Sequence, residues 1–410
     1  MAVADEWAEL YRDLHRHPEL AFQETRTAGI VASRLRSAGY EVTEGVGRTG
    51  VVGVLANGVG PVVLLRADMD ALPVEEATGL EYASTARGID VGGADVPVMH
   101  ACGHDVHVTC LLAACAELAA DRGSWSGTVL AVFQPAEEQG AGALAMLDDG
   151  FYDRFPEPVV VLGQHVAPIP AGVIGLRSGP AFAASDGVRI VLHGRGAHGS
   201  RPEASVDPVV MAASTVMRLQ TIVSREIAGT ETAVVTVGRM SAGTAGNVIP
   251  DSAELVLNIR TYDPKVLDRV LTSITRIAEG EAAAAGAPRP PDVEHLASFP
   301  AVINDVDAVE STRAALASVA MAVVDPGPVT GSEDVGAFAT AAGVPCVYWL
   351  LGGADPAEFQ GLTSIEQIAE KVRVIPSNHS PLYAPVIEPT LANGRAALVA
   401  AARRWLAPAR

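Results

Sequence analysis

Cysteine is scarce in this chain, four in 410 residues. Cys102, Cys110 and Cys115 share one apolar segment, Cys346 stands far away, and no Cys-x-x-Cys pair occurs. That pattern excludes a disulfide framework and a closed structural zinc site, and it fits a reducing, cytoplasmic location. Aromatic residues make up 5%, too few for base-stacking platforms. Basic residues are outnumbered, 29 against 48 acidic for a formal net charge of −19, so phosphate backbones and anionic lipid would be repelled. No uninterrupted apolar run reaches the about 18 residues that a membrane span requires. Asp5 and Glu6 stand where a secretory leader needs positive charge, so no signal peptide is expected. What the chain has in quantity is apolar residues, 49%, and length for two or three domains at roughly 150 residues each.

Residues 5–38 predict helix, with apolar positions at helical spacing interrupted near His17-Pro18. Short β-branched runs follow: VVGVLA (51–56), VVLLRA (62–67), TVLAVFQ (128–134) and VVVLGQHV (159–166). The Ala/Leu-rich VHVTCLLAACAELAA (106–120) between them predicts a helix. Continuous apolar strands alternating with helices predict an α/β architecture, a mostly parallel central sheet flanked by helices. Near residue 185 the texture changes. GVRIVLHG (187–194), a helix over 207–224, TAVVTVGRM (232–240), SAELVLNIRTY (252–262), a helix over 264–286 and a further strand read as two helices on an antiparallel sheet. The larger-domain texture resumes near 297, with GVPCVYWLL (343–351) as another buried strand. The domain reading is therefore 1–185 with 297–410, interrupted by a smaller α+β domain at 186–296.

In a parallel sheet, ligands gather beyond the carboxyl ends of the strands. VVLLRA runs into Asp68-Met69-Asp70, TVLAVFQ into Pro135-Ala136-Glu137-Glu138, and VVVLGQ into His165. Any one of these acids alone reads as a helix cap. Met99-His100-Ala101-Cys102-Gly103-His104-Asp105-Val106-His107 concentrates three of the chain's 10 histidines with a cysteine and an aspartate. Cys102 and His104, two apart, approach one centre if their loop is extended. Cys110 and Cys115, among Leu and Ala, read as core. Imidazole, thiolate and carboxylate drawn from distant segments suit an open, catalytic zinc site. Side chains of the adjacent Glu137 and Glu138 are expected to point apart, so that one binds metal while the other acts as general base. His379 in NHSP, which follows a strand-like VRVIP (372–376), and His198 in AHGSRP sit in polar turns, where an isolated histidine is most simply a loop residue. Gly194 to Gly199 spells GxGxxG, but Pro202 and Pro208 delay the helix that dinucleotide binding needs, so nucleotide binding is rejected.

Taken together, LHRHPELAFQE (14–24), RADMDALPVEE (66–76), MHACGHDVH (99–107), QPAEEQGAGA (134–143), GQHV (163–166), AHGSRP (197–202), GNVIP (246–250), GSED (331–334) and NHSPLYAP (378–385) resemble the di-zinc aminoacylase and carboxypeptidase metallohydrolases. Within them, the likeness is to the amidohydrolase branch of hippurate, auxin-conjugate and N-acyl-glutamine hydrolases. The resemblance implies two divalent ions, zinc or else Mn or Co. Cys102 would bridge them, Glu138 and His379 would complete one, and His104 and His165 the other. It implies Glu137 as general base, Asp70 orienting a ligand histidine, and His198 polarising the scissile carbonyl, often from the partner subunit. It further implies Asn247, Arg260, Gly331 and Ser332 as substrate-binding, the inserted domain as lid and dimerisation element, and a homodimer acting on small N-acyl amino acids. Asp68 stands where sister branches carry a metal histidine, and RGIDVGGADVPV (87–98) is longer than the branch's linker.

The expected reaction is hydrolysis of an N-acyl-L-amino acid to a carboxylic acid and a free amino acid. Dipeptidase or carbamoylase activity would use the same site. A thiol hydrolase built on Cys102 and His104 is a further alternative, and a non-catalytic binding protein would tolerate loss of Glu137.

Overall fold

A computed structural model describes residues 3–408. The N-terminal helical stretch forms two helices, Val3–Arg16 and Thr25–Ser37. The break follows from Pro18, which lacks an N–H and steers His17 away from helical geometry.

The chain divides into two compact units. The first comprises 1–181, 302–328 and 334–410. Its nine-stranded sheet has at its centre Trp125–Gln134, Val62–Asp68, Val160–Pro170 and Cys346–Ala354, in that order and mutually parallel. Their sequences are almost unbroken apolar runs because both faces are covered. Outside Trp125–Gln134 the direction reverses: Gly50–Asn57 pairs with it antiparallel and forms a hairpin with Glu41–Val46. The helix His104–Ala120 starts two residues earlier than its apolar run and is buried on nearly every side. That position explains a segment apolar all round, where a surface helix would carry a polar face. Its Leu111, Leu112 and Leu118 share one core with Val63, Leu65 and Ala131 of the sheet and Leu398 of the helix Thr390–Trp405.

Two sequence expectations need correction here. His165 does not end its strand, which continues to Pro170. VRVIP is no strand: a helix, Ile365–Val372, runs into it, started by a Ser364–Gln367 capping box, and a turn follows before Pro376.

The second unit comprises 182–301 and 329–333. A four-stranded antiparallel sheet, ordered Ala233–Ala242, Ser252–Thr261, Ala184–His193, Asp292–Phe299, packs on the helices Pro208–Thr221 and Pro264–Ala284. Each helix begins with an aspartate cap and a first-turn proline, Asp207-Pro208 and Asp263-Pro264. Alternation along Ser252–Thr261 buries every second residue, so Ala253, Leu255, Leu257 and Ile259 enter the core.

Candidate metal centre

Four segments of the first unit converge at the carboxyl-terminal side of its parallel strands. Gly103, at φ +81°, turns the chain directly into the helix, so Cys102 and His104 approach one another through a left-handed glycine rather than an extended loop. A side chain at Gly103 would also meet Val166 Cγ1 at 2.4 Å. Cys102 Sγ lies 3.5 Å from His165 Nε2. His165 Nδ1 donates to Val166 O at 2.8 Å, which fixes the tautomer and leaves the Nε2 lone pair facing the sulfur. His379 Nε2 lies 3.4 Å from Glu138 Oε2.

The donor atoms form two triads sharing one sulfur, Cys102–His104–His165 and Cys102–Glu138–His379, each with its donors within 4.8 Å of one another. Glu137 does not turn away from Glu138 as expected. Both lie on a single 3-10 turn, and their carboxylates reach within 4.0 and 3.8 Å of His104 Nε2.

Three backbone devices hold this arrangement. Asp70 accepts from the amides of Glu137 and Glu138, at 3.1 and 3.0 Å, and its Oδ1 lies 3.3 Å from His104 Nδ1. Glu24, fully buried, accepts from the amides of Ala136 and Phe22 at 2.8 and 2.9 Å. Ala136 is thereby held at φ +48°, a left-handed conformation costing a non-glycine residue about 1–3 kcal/mol. His379 is left-handed too, at φ +72°, with its amide donating to Ala101 O at 2.8 Å. Two strained residues thus flank the donors, and strain of this kind persists where the surroundings over-determine it.

The electrostatics describe a pocket short of positive charge. Burial opposes protonation of His104, yet Asp68, Asp70 and Glu138 outweigh it and lift its pKa to about 10. Burial, then Glu138 and Glu137, push the Cys102 thiol well above its ordinary range. Burial and the neighbouring His107 hold His165 well below the usual imidazole value, hence neutral. Neither ring nitrogen of His104 makes a hydrogen bond, nor does Glu138 Oε1, although all three atoms are buried. Buried polar atoms are ordinarily satisfied. The open atoms of His104 and Glu138, grouped with the soft Cys102 sulfur and the imidazoles of His165 and His379, make up the donor set of a two-cation centre, so the residues fit such a group.

Behind the triads lies a network that is complete without any ion. Buried Arg66 donates to Asp68 at 2.7 Å, to Gln134 Oε1 at 2.8 Å and to Asp334 at 3.1 Å. Asp68 accepts from His107 Nδ1 at 2.5 Å, while His107 Nε2 accepts from Val166 N at 2.8 Å. Burial favours a neutral Asp68, but His104, His107 and Arg66 override it and hold the carboxyl well below its usual range. Asn378 donates to Cys102 O and Val166 O, both at 3.1 Å, tying the Cys102 turn to the His165 strand. Sequence reasoning counted His107 in the histidine cluster and Asp68 among the strand-end acids without giving either a role, and gave Gln134, Asp334, Asn378 and Glu24 none. The available signals were the i, i+3 spacing of His104 and His107 on one helix, and the adjacency of Asn378 to His379.

The remaining predicted residues belong to the second unit. His198 is exposed, paired with Val248 between two short strands, and its Nδ1 accepts from Ser200 N at 3.1 Å. Asn247 O accepts from Gly199 N at 2.8 Å. Arg260 donates to Ser332 Oγ at 2.6 Å, and Ser332 donates to Ala183 O at 2.8 Å, so Arg260 and Ser332 form one cluster next to Gly331. No helix among the described residues is long and apolar enough to cross a membrane.

Comparison with known proteins agrees with this chemistry. Residues 64–375 match the family model described as peptidase family M20/M25/M40. An N-acetyl-L-cysteine deacetylase of Bacillus subtilis is 37% identical over 325 residues, covering 79% of this chain and 75% of that protein. A hippurate hydrolase of Campylobacter jejuni is 41% identical over 281 residues, covering 68% and 70%. A crystal structure of a Bacillus subtilis dinuclear metal-binding peptidase superposes with a TM-score of 0.77 at 29% identity, covering 97% of this chain and 98% of that one. The protein is a hydrolase acting on amide bonds, with donor groups for two metal ions. On the family match over most of its length, the chain belongs to peptidase family M20/M25/M40.

Proposed function

We propose that this protein hydrolyses the amide bond of N-acyl-L-amino acids, releasing a carboxylic acid and a free amino acid. The observation that carries the reading is the pair of donor triads sharing Cys102 Sγ, with Glu137 beside them and 4.0 Å from His104 Nε2. Cys102, Glu138 and His379 would hold one divalent cation, and Cys102, His104 and His165 the second. Zinc suits a set of thiolate, imidazole and carboxylate best, ahead of Mn or Co. When bound, the pair supplies positive charge that acidifies a water and polarises a carbonyl oxygen.

The protein's own groups do the rest. Glu137 takes a proton from the attacking water and returns it to the amine nitrogen as the amide C–N bond breaks. Asp70, on the Glu137–Glu138 amides and beside His104, fixes where the base and a ligand ring point. Ser200 N–H occupies His198 Nδ1, which leaves the N–H at Nε2, and that N–H would polarise the scissile carbonyl oxygen through a hydrogen bond, from its own chain or a partner. Arg260 with Ser332 and Gly331, and Asn247, would bind the amino acid's carboxylate end.

The residues 186–296 would act as lid and as the contact of a homodimer. Ala233–Ala242 is an edge strand exposing Val234 and Met240, which is the surface an edge-to-edge contact needs. The four cysteines are all free, in keeping with a cytoplasmic setting. A peptidase reading draws on the name of the superposed structure, and it differs only in whether the acyl group is an aminoacyl group. The test is metal analysis of the purified protein together with hydrolysis of N-acetyl, N-benzoyl and longer N-acyl amino acids beside dipeptides. Two ions per chain and release of the amino acid from N-acyl compounds support the reading. Faster cleavage of dipeptides would replace it with the second, and full turnover in a metal-free protein would overturn both.

A further inference from the structure

A cavity of about 270 Å³ opens in the first unit beside Glu138. We propose that this cavity, walled by Leu20, Ala21, Ala71, Leu72, Pro73 and Val91, receives the substrate's acyl group, and that the group is an apolar chain or ring larger than acetyl. The inference rests on the amidohydrolase reading and adds the class of acyl substrate to it.

Three observations carry the assignment. The first is position. Glu138 and Gln139 line the cavity, so it adjoins one of the two donor triads. The second is charge. Among the described residues no Lys, Arg or His lines it, while Asp90 and Glu138 do. Glu138 would be spent on a cation, so the carboxylate end of an N-acyl amino acid would find no cationic side chain in the wall and the like charge of Asp90, which leaves the uncharged end as the occupant. The third is the wall itself. The hairpin Arg87–Ile89 with Asp95–Pro97 overhangs the cavity through Asp90 and Val91. Gln23 donates to Ile89 O at 2.8 Å, and a side chain at Gly88 would crowd Leu20 Cδ1 at 3.0 Å, so the hairpin is pinned close to the Leu20–Ala71–Val98 cluster. Yet this pinned hairpin leaves Ile89 53% and Val91 90% exposed. Val91 displayed at the rim of an apolar cavity, with exposed Ile89 two residues before it on the same hairpin, is what an apolar substrate tail would cover. The volume is that of several methylene groups, well beyond a single methyl.

The test is an acyl-length series, acetyl to decanoyl and benzoyl, on the amino acid that the zinc-loaded protein cleaves fastest. The expected result is a rise in kcat/KM of about fourfold per added methylene until the cavity is full. Val91→Asp, on the exposed hairpin tip, and Leu72→Trp, which fills the cavity, should each lower the octanoyl-to-acetyl ratio of kcat/KM at least tenfold. Calorimetry supplies a readout free of turnover: octanoate should bind the zinc-loaded protein at least tenfold more tightly than acetate, and Leu72→Trp should abolish the difference. A flat acyl-length profile, unchanged ratios in both variants, or equal binding of octanoate and acetate would overturn the inference while leaving amide hydrolysis intact. Preference for a Leu-initial dipeptide over the N-acyl compound of equal size would overturn it as well, since a charged ammonium would then occupy the cavity. Failure to cleave any amide would sink the functional reading, and calorimetry would still decide the cavity.

Discussion

His104 and His107 lie three residues apart on one helix with their rings stacked at 5.4 Å, yet they end in opposite states. His107 spends both nitrogens within the protein, on Asp68 and on Val166 N. His104 spends neither in a hydrogen bond and sits among Asp68, Asp70, Glu137 and Glu138. The same contrast separates the two regions around them. The Arg66–Asp68–His107–Gln134–Asp334 network closes on itself, whereas the Cys102-centred triads leave donors open. A buried histidine is therefore marked as a candidate ligand by its remaining valence, since burial and sequence neighbours are alike in the two cases.

The contrast can be broken most forcefully at Glu137. Glu137→Gln should keep two metal ions per chain but lower kcat by roughly 10²–10⁴-fold, the usual contribution of a general base. Steady-state kinetics beside metal analysis decides it, and near-normal turnover would remove the base assignment. Next in size is Asp68→Ala, aimed at the closed network. It leaves buried His107 Nδ1 without its acceptor and Arg66 without one of its carboxylates, so unfolding free energy should fall by about 3–5 kcal/mol. Denaturant titration reads this, and a loss below about 1 kcal/mol would show that the network is not the rigid partner of the comparison.

Chelation should act on the open region alone. Turnover should vanish and return with Zn²⁺, while far-UV circular dichroism stays as in the holoprotein apart from the lower Tm that loss of a bound ligand brings. Collapse of the secondary structure on chelation would mean that the ions, and not the Asp68 network, hold the sheet ends together.

The smallest effects are expected at Glu24, which touches neither region's side chains but holds the Ala136 backbone. Glu24→Ala should lower kcat by roughly ten- to a hundredfold through misplacement of the Glu137–Glu138 turn, with KM and metal content little changed. Glu24→Gln retains an acceptor oxygen and should restore most of that rate. It should also flatten a pH trend. Burial, then Asp70, raise the Glu24 carboxyl to about 7, above its ordinary value near 4.5. A raised folded-state pKa gives a stability contribution present in full below pH 4.5 and lost as pH rises through about 7. Wild-type Tm should therefore decline across that window more than that of Glu24→Gln. Equal slopes would show that Glu24 does not titrate there.

Much of the architecture was legible because it is periodic. Uninterrupted runs such as VVLLRA fold as parallel strands covered on both faces, and alternating SAELVLNIRT folds as a strand with one buried face. Failures fell where local pattern and long-range pairing diverge. VRVIP is β-branched, but a helix capped at Ser364 runs into it and a turn follows, and His165 lies within a strand extended to Pro170 by pairing with Cys346–Ala354. The Glu137–Glu138 expectation failed because side chains alternate only on an extended backbone. Ala136, left-handed under Glu24, starts a 3-10 turn instead.

The sequence alone determined which candidate donors the chain carries and in what order, its excess of acidic residues and the alternation of strands and helices, since each depends on residue type and short-range spacing. Tertiary structure alone decided which histidine keeps its ring nitrogens free of hydrogen bonds, why both carboxylates face one imidazole, and that Glu24 and Asp70 hold three successive amides from opposite ends of the motif. The physical reason is that a buried group's remaining valence depends on partners tens to hundreds of residues away, and only the folded chain brings them within hydrogen-bond distance.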